Sequence, residues 1–356
     1  MIRSALIAAG GTGGHVYPGL AVSQKLMETG IEVHWIGTKS GLESKVIPSY
    51  DISFHTISIK GLRRAGLLRL VLAPLSISFS IFQAILIIWK VNPQVVIGMG
   101  GFVSGPVGAA AKICRRPLVV HEQNAVPGLT NLILCRIANR TLETFPGTFS
   151  KKVRAITTGN PVRSSISSIL PPEKRMRAVK TVKLLVFGGS KGADILNQIV
   201  PKAIAEARLT GIKILHQCGE DNSMNTRLAY SNVNTSCEVK IVTFIEEMDI
   251  AYEKADLVIS RAGATTIAEI GATGVASILV PYAYAVDDHQ AKNADYLVRC
   301  GAAIMIREKE LTPRYLATVI KKLLSDRTSL LTMAKIARSL GFKDSLSLVV
   351  KNCIRL

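Results

Sequence analysis

Aromatic residues make up 5% of the 356-residue chain, and the sequence carries no helix-turn-helix, zinc-finger or RNA-stacking signature. Specific recognition of nucleic acid is therefore not expected, despite an excess of basic residues. The six cysteines, at 114, 135, 218, 237, 300 and 353, stand singly, without a C-x-x-C pair or histidines at metal-ligand spacing. A disulfide framework and a zinc site are thereby excluded, and a reducing compartment is implied. No G-x-x-x-x-G-K-[ST] occurs, so a P-loop has no support. No glycine turn fits G-x-G-x-x-G, and the second strand-like run ends VHWIGTK without an acid for a ribose, so the dinucleotide fingerprint also fails. The opening MIRSALIAAGG ends its apolar stretch after five residues, too short for export, and a cytoplasmic chain is expected. Acidic side chains are scarce in the first part. Through residue 163 there are 18 basic and 6 acidic residues, and 26 and 19 thereafter, so +12 of the net +19 lies there. That excess suits a phosphorylated ligand or an anionic membrane face.

What the sequence has in quantity is glycine, 28 residues, and short apolar runs. The runs at 6–9, 33–37, 95–98 and 118–120, then 184–189, 212–216, 257–260 and 277–281, alternate with amphipathic stretches. Alternation of this kind predicts βα repeats and parallel sheets. LIAAGGTGGH and LLVFGGSKGA echo one another as strand, glycine turn and helix start, with first glycines at 10 and 188. The expectation is an α/β protein of two doubly wound, Rossmann-like domains facing across a cleft. The first spans 1–163 and the second 164–340, with a C-terminal helix at about 341–356 free to return to the first.

In doubly wound sheets, ligands lie at the carboxyl ends of the strands. The turns GGTGGH (10–15), GMGGFVSGP (98–106) and GGSKGA (188–193) belong at that edge. A turn without side chains that leads into a helix lets backbone N–H groups approach phosphate oxygens, with the helix dipole favouring the charge. Any one such turn could be a tight connection and nothing more; three together favour phosphate. With no Asp-x-Asp pair in the sequence, a nucleotide-sugar site here would be metal-free and cofactor-free, its diphosphate met by helix ends, hydroxyls and arginine.

GGTGGHVYPGLA, GMGGFVSGP, HEQNAVPGLTN (121–131), GNPVR (159–163), GGSKGA, SRAGATTIAEI (260–270) and DDHQAKNA (287–294) follow in that order along nearly the whole chain. Together they closely resemble the MurG family, UDP-N-acetylglucosamine transferases that complete the lipid-linked disaccharide of peptidoglycan. The resemblance implies the B-type glycosyltransferase fold, with the donor held mainly by the second domain and the lipid acceptor, lipid I, by the first. It implies donor contacts at Thr12, Gly13, Gly14, Asn124 and Arg163, and in the second domain at Ser190, Ile245, Ala264, Thr265, Thr266, Glu269 and Gln290. Arg163 and Ser190 suit a diphosphate, the 264–266 segment opens a helix toward it, and Glu269 and Gln290 suit ribose hydroxyls. The competing assignments are a linker arginine for Arg163, a solvated helix face for Glu269, a loop-bonding role for Asn124 and a plain loop histidine for His289.

The implied reaction is attack by the C4 hydroxyl of the muramyl sugar on the anomeric carbon of N-acetylglucosamine, with inversion and loss of UDP. It needs a base, and His15 is the candidate because imidazole titrates near neutrality; Glu122 is the alternative. Phe102 stands where the family commonly has Tyr, Lys191 where Gln is frequent, and Ala262 where Ser is frequent. A UDP-N-acetylglucosamine 2-epimerase of the same architecture, and an inactive nucleotide-sugar scaffold, are the competing functions.

Residues 70–89, LVLAPLSISFSIFQAILIIW, are long enough to cross a bilayer. Pro74, three serines and Gln83 interrupt the run, and Ser76, Ser80, Gln83 and Lys90 share one helical stripe. A span would also separate two segments expected in one sheet. Burial, or a helix lying in the membrane interface, remains. The flanking Lys60, Arg63, Arg64 and Arg69, with Lys112, Arg115 and Arg116, favour the interface, on the cytoplasmic face of the inner membrane, as a peripheral contact with anionic lipid.

Overall fold

The structure, a computed structural model, describes residues 2–61, 71–176, 181–189 and 192–355. The chain divides into two compact units, Met1–Arg163 with Asp344–Leu356, and Ser164–Lys343.

The first unit is a seven-stranded parallel sheet in the order β3-β2-β1-β4-β5-β6-β7. Its strands are β1 (Ser4–Ala8), β2 (Glu32–Gly37), β3 (Ser53–Thr56), β4 (Val95–Gly98), β5 (Leu118–Glu122), β6 (Arg140–Glu143) and β7 (Ile156–Thr157). Helices α1 (Gly13–Glu28), α2 (Leu42–Val46), α3 (Ala73–Val91), α4 (Gly101–Ile113) and α5 (Leu129–Leu134) connect them. Alternate residues of a strand face opposite sides, and the cores divide accordingly. Ala5 and Ile7 join Val16, Leu20 and Leu26 of α1, whereas Leu6 and Ala8 join Ala84 and Ile88 of α3 and Val103 and Val107 of α4. Burial on both faces is why the central strands read as unbroken apolar runs.

The second unit has a six-stranded parallel sheet, order β10-β9-β8-β11-β12-β13. The strands are β8 (Val182–Phe187), β9 (Ile212–Gln217), β10 (Glu238–Val242), β11 (Leu257–Ser260), β12 (Ala276–Leu279) and β13 (Ala303–Met305). Its main helices are α6 (Asp194–Ala207), α7 (Ser223–Ser231), α8 (Met248–Lys254), α9 (Ala264–Thr273), α10 (His289–Val298), α11 (Pro313–Ser325) and α12 (Arg327–Leu340). The last helix, α13 (Ser345–Ile354), belongs to the first unit: Val349, Val350 and Cys353 pack in the α1 core, and Arg140 donates to the Asn352 carbonyl at 3.2 Å.

All eight strand-like runs of the sequence are strands, and two doubly wound units result. β3, β6, β7, β10 and β13 carry no such signal. Four of them are sheet edges, where one long side meets no neighbouring strand, so half-exposed sequences such as SFHT and EVKIV suffice. β6 is interior but reads RTLE, with Glu143 buried and accepting bonds from Gly147, Phe149 and Thr157.

α3 is the one described helix long and apolar enough to cross a membrane. It links β3 to β4, strands that pair with β2 and β1 of the same sheet, so both its ends stay on one sheet. The middle of its polar stripe points inward, while Ser76 and Lys90 stay exposed: the Ser80 hydroxyl, fully buried, donates to the Ser58 carbonyl at 2.9 Å, and the Gln83 carbonyl accepts from the Ser58 N–H at 2.7 Å. Leu75, Phe79, Phe82, Leu86 and Trp89 therefore face outward, and all five are exposed. Arg63, Arg64 and Arg69 lie outside the described residues.

Candidate active site

In the first unit Ala8 lies opposite Ile36 and Gly98, and Gly98 opposite Val120. The turns after β1, β4 and β5 thus leave the sheet at one edge. The winding direction reverses between β1 and β4, the position at which doubly wound sheets bind ligands.

His15 sits in the first turn of α1, its N–H and that of Val16 both bonded to the Thr12 carbonyl. Its Nδ1 is 3.3 Å from Thr12 Oγ1. The ring lies against Gly100, where a Cβ would stand 3.0 Å from His15 Nε2 and 3.1 Å from Gln123 Oε1. The imidazole, the β4 turn and the Gln123 carboxamide therefore converge. Gln123 is itself anchored by donating to the Met99 carbonyl at 2.9 Å. Ser104 ties the turns together, its hydroxyl reaching the carbonyls of Ala8 and Gly100 at 2.8 and 2.7 Å. Gly101 has φ +79°, and any side chain there would overlap the Gly10 carbonyl, so the close approach of the two turns requires glycine. Phe102 stacks above Gly11.

Glu122 lies differently from what a base requires. It is 2% exposed. Oε1 accepts from the Asn124 N–H and Nδ2 at 3.0 and 3.2 Å, and Oε2 from the Gly128 N–H and Asn131 Nδ2 at 3.0 and 2.8 Å. Four donors fit the carboxylate that holds the HEQN loop, with neither oxygen turned to a substrate. The same bonds fix Asn124. Next to it His121 is wholly buried with Nε2 3.0 Å from the Gly159 carbonyl, and burial pushes its pKa down to about 4. Arg163 stands over the Tyr17 ring, 5.8 Å from its centroid.

In the second unit Phe187 lies opposite Gln217 and Ser260, and Ser260 opposite Leu279, so the following turns again share one edge. Ser190 and Lys191 lie outside the described residues. Gly192, which follows them, lies against the Cys218 carbonyl, and beside it is a packed polar chain: His216, fully buried, has Nε2 3.0 Å from Asn197 Oδ1 and Nδ1 3.0 Å from the Tyr230 hydroxyl, and Asn197 Nδ2 donates to the Cys218 carbonyl. Burial lowers the His216 pKa to about 4 and raises that of Tyr230.

Ala264 opens α9, with Gly263 as its N-cap and no side-chain cap, and Ala262 is wholly buried before it. The Thr265 hydroxyl is buried and bonds to none of the described residues. Thr266 shares this first turn, whose N–H groups have no intrahelical acceptor. Glu269 is 7% exposed and accepts from the Tyr252 hydroxyl at 3.1 Å, so it is not a solvated face residue. Gln290 Oε1 accepts from the Tyr282 N–H at 2.9 Å, which turns its NH₂ away from that bond. His289 opens α10 beside it, half-buried, and Ile245 is half-buried in the loop after β10.

Sequence reasoning passes over Glu43, Gln123, Tyr252 and the half-buried Arg261–Glu308 ion pair. Only the three glycines around Glu43, at 10, 37 and 41, hint at one of them.

Residues 5–143 match the glycosyltransferase family 28 N-terminal domain and residues 183–349 its C-terminal domain. A UDP-N-acetylglucosamine–N-acetylmuramyl-(pentapeptide) pyrophosphoryl-undecaprenol N-acetylglucosamine transferase of Marinobacter nauticus is 45% identical, over 99% of this chain and 97% of that one. The protein of the same name from Nitrosococcus oceani is 44% identical, over 98% and 97%. Among solved structures, Acinetobacter baumannii MurG matches with a TM-score of 0.85 and 35% identity, over 99% of this chain and 100% of that one. A UDP-GlcNAc 2-epimerase of Neisseria meningitidis matches at 0.68 with 11% identity over 99% of each chain, a likeness of fold alone.

Proposed function

Because the chain belongs to glycosyltransferase family 28, we propose that it transfers N-acetylglucosamine from UDP-N-acetylglucosamine, with inversion, to the C4 hydroxyl of undecaprenyl-pyrophosphoryl N-acetylmuramyl-pentapeptide. The observation that carries this reading is identity of 45% across 99% of the chain to a transferase of that name, against 11% to an epimerase.

In the first unit His15 removes the hydroxyl proton. With Thr12 Oγ1 accepting from Nδ1–H, the Nε2 lone pair is the base, and the bond 3.3 Å long is compatible with that tautomer. Glu122 keeps the loop in which Asn124 meets the donor, and Thr12, Gly13, Gly14 and Arg163 complete the first unit's donor contacts. In the second unit the N–H groups and hydroxyls of Ala264–Thr266, with Ser190, take up the charge that develops on the leaving diphosphate. Glu269 accepts from the ribose, Gln290 offers its NH₂, and Ile245 borders the base.

The outward stripe of α3, with exposed Lys90, Lys112 and Arg115, rests on an anionic leaflet as a peripheral contact, where a polyprenyl acceptor is anchored. The test is UDP release from UDP-N-acetylglucosamine with and without lipid-linked muramyl pentapeptide, repeated with chelator. Acceptor-dependent, chelator-insensitive release is expected. Isomerisation of the donor alone would make the protein an epimerase.

A further inference from the structure

We infer that Glu43 is a positioning residue for the glycine turn that carries His15, and that it removes one amide of that turn from anion binding. This rests on the reading of His15 as the base. Glu43 lies in α2, fully buried, outside every motif described above. Its Oε1 accepts from the Thr38 N–H and hydroxyl at 2.9 and 2.8 Å, and its Oε2 from the Gly11 N–H at 3.2 Å. Three donors and no proton of its own to place fit the ionised form. Among the described residues no lysine or arginine pairs with it.

The surrounding sequence makes room for this carboxylate. A Cβ on Gly10 would stand 2.7 Å from Glu43 Oε1, and side chains on Gly37 and Gly41 would overlap Glu43 as well. Three glycines, one after β1 and two from the end of β2 and the connection to α2, thus pack on one acid. Burying a charge without a basic partner costs stability, and an apolar residue would pack at lower cost. What the acid supplies is an acceptor fixed beneath the loop. The Gly11 amide points at Glu43, so a phosphate cannot take it, and negative charge behind the turn repels a second anion there. The amides left at Thr12–Gly14 follow directly, with Thr12 against the imidazole. Gly10 is therefore explained by the acid it accommodates and by the close approach of the β4 turn, and Gly11 by its positive φ and by Phe102 beside it.

Glu43→Gln tests this in the full-length protein. With its carbonyl toward Thr38, the new NH₂ faces the Gly11 N–H, donor against donor. The expected result is a fall in kcat of at least about 30-fold, with donor KM and calorimetric UDP affinity within about threefold, and faster backbone hydrogen exchange confined to the peptide covering residues 10–15. A kcat within threefold of the parent, or a loss that appears in UDP affinity instead, overturns the inference. Should Glu43→Gln not fold, Thr38→Val removes one donor and keeps the carboxylate. The same split is then expected at about five- to tenfold in kcat, and its absence is equally decisive. If the parent protein transfers no sugar, the proposed function fails, and Glu43 is judged by hydrogen exchange alone: unchanged exchange at 10–15 sinks it.

Discussion

Two glycine turns of nearly the same sequence plan, one after β1 and one after β8, are supported from below by opposite chemistry. Under the first lies a buried carboxylate, Glu43, bonded to Gly11. Under the second lies a neutral chain, Tyr230, His216 and Asn197, which ends on the Cys218 carbonyl. A negative floor discourages a bound anion and a neutral one does not. The first turn carries the histidine, and the second unit has the open helix start at Ala264 and the buried Thr265 hydroxyl. The two turns thus share a backbone plan but differ in the charge beneath them, and the distinction lies beneath the loops rather than in them.

The strongest way to break this comparison is at His15. His15→Ala is expected to lower kcat about a thousandfold, as loss of a general base does, with donor KM nearly unchanged. Steady-state UDP release with saturating acceptor measures it, and an equal loss in KM would place His15 among the donor contacts. Next is acid sensitivity. His121 and His216, one in each unit, are neutral down to about pH 4, whereas an unfolded imidazole gains its proton near 6.5. Between those values the unfolded state binds more protons, so stability falls as pH falls, by about 1.4 kcal/mol per pH unit for each histidine. Urea unfolding at pH 7, 6 and 5 should show that slope, and His216→Gln should remove its share while leaving that of His121.

A smaller effect is expected at Glu269. Glu269→Ala should raise donor KM about 30-fold, the cost of a lost charged hydrogen bond, with kcat at saturation changed little. An inverse split would exchange the roles of the two units. Smallest is the surface. Phe82→Glu with Trp89→Glu should weaken co-sedimentation with anionic vesicles about tenfold, whereas Met224→Glu with Leu228→Glu, equally exposed residues of the second unit, should not. Equal losses would mean that general surface hydrophobicity, and not the α3 stripe, holds the membrane.

The central strands and the three turns were legible because their cause is local: an apolar run buried on both faces, a turn in which a side chain has no room. Edge strands were not, since a half-exposed strand needs no run. The α3 stripe was legible as a stripe but not in its direction. Ser80 and Gln83 point inward because Ser58, 22 and 25 residues earlier, needs partners there. Glu122 could be read as a base only until the positions of Gly128 and Asn131 were known.

By itself the sequence determined the class of fold, its two units and the order of the motifs, since periodicity and turn chemistry act over a few neighbouring residues. Tertiary structure alone decided which acids are available and which are already bonded, and which side of α3 faces outward. Glu43 meets Gly11 across 32 residues and Tyr252 meets Glu269 across 17, and a hydrogen bond between distant residues exists only once the sheet has set its register.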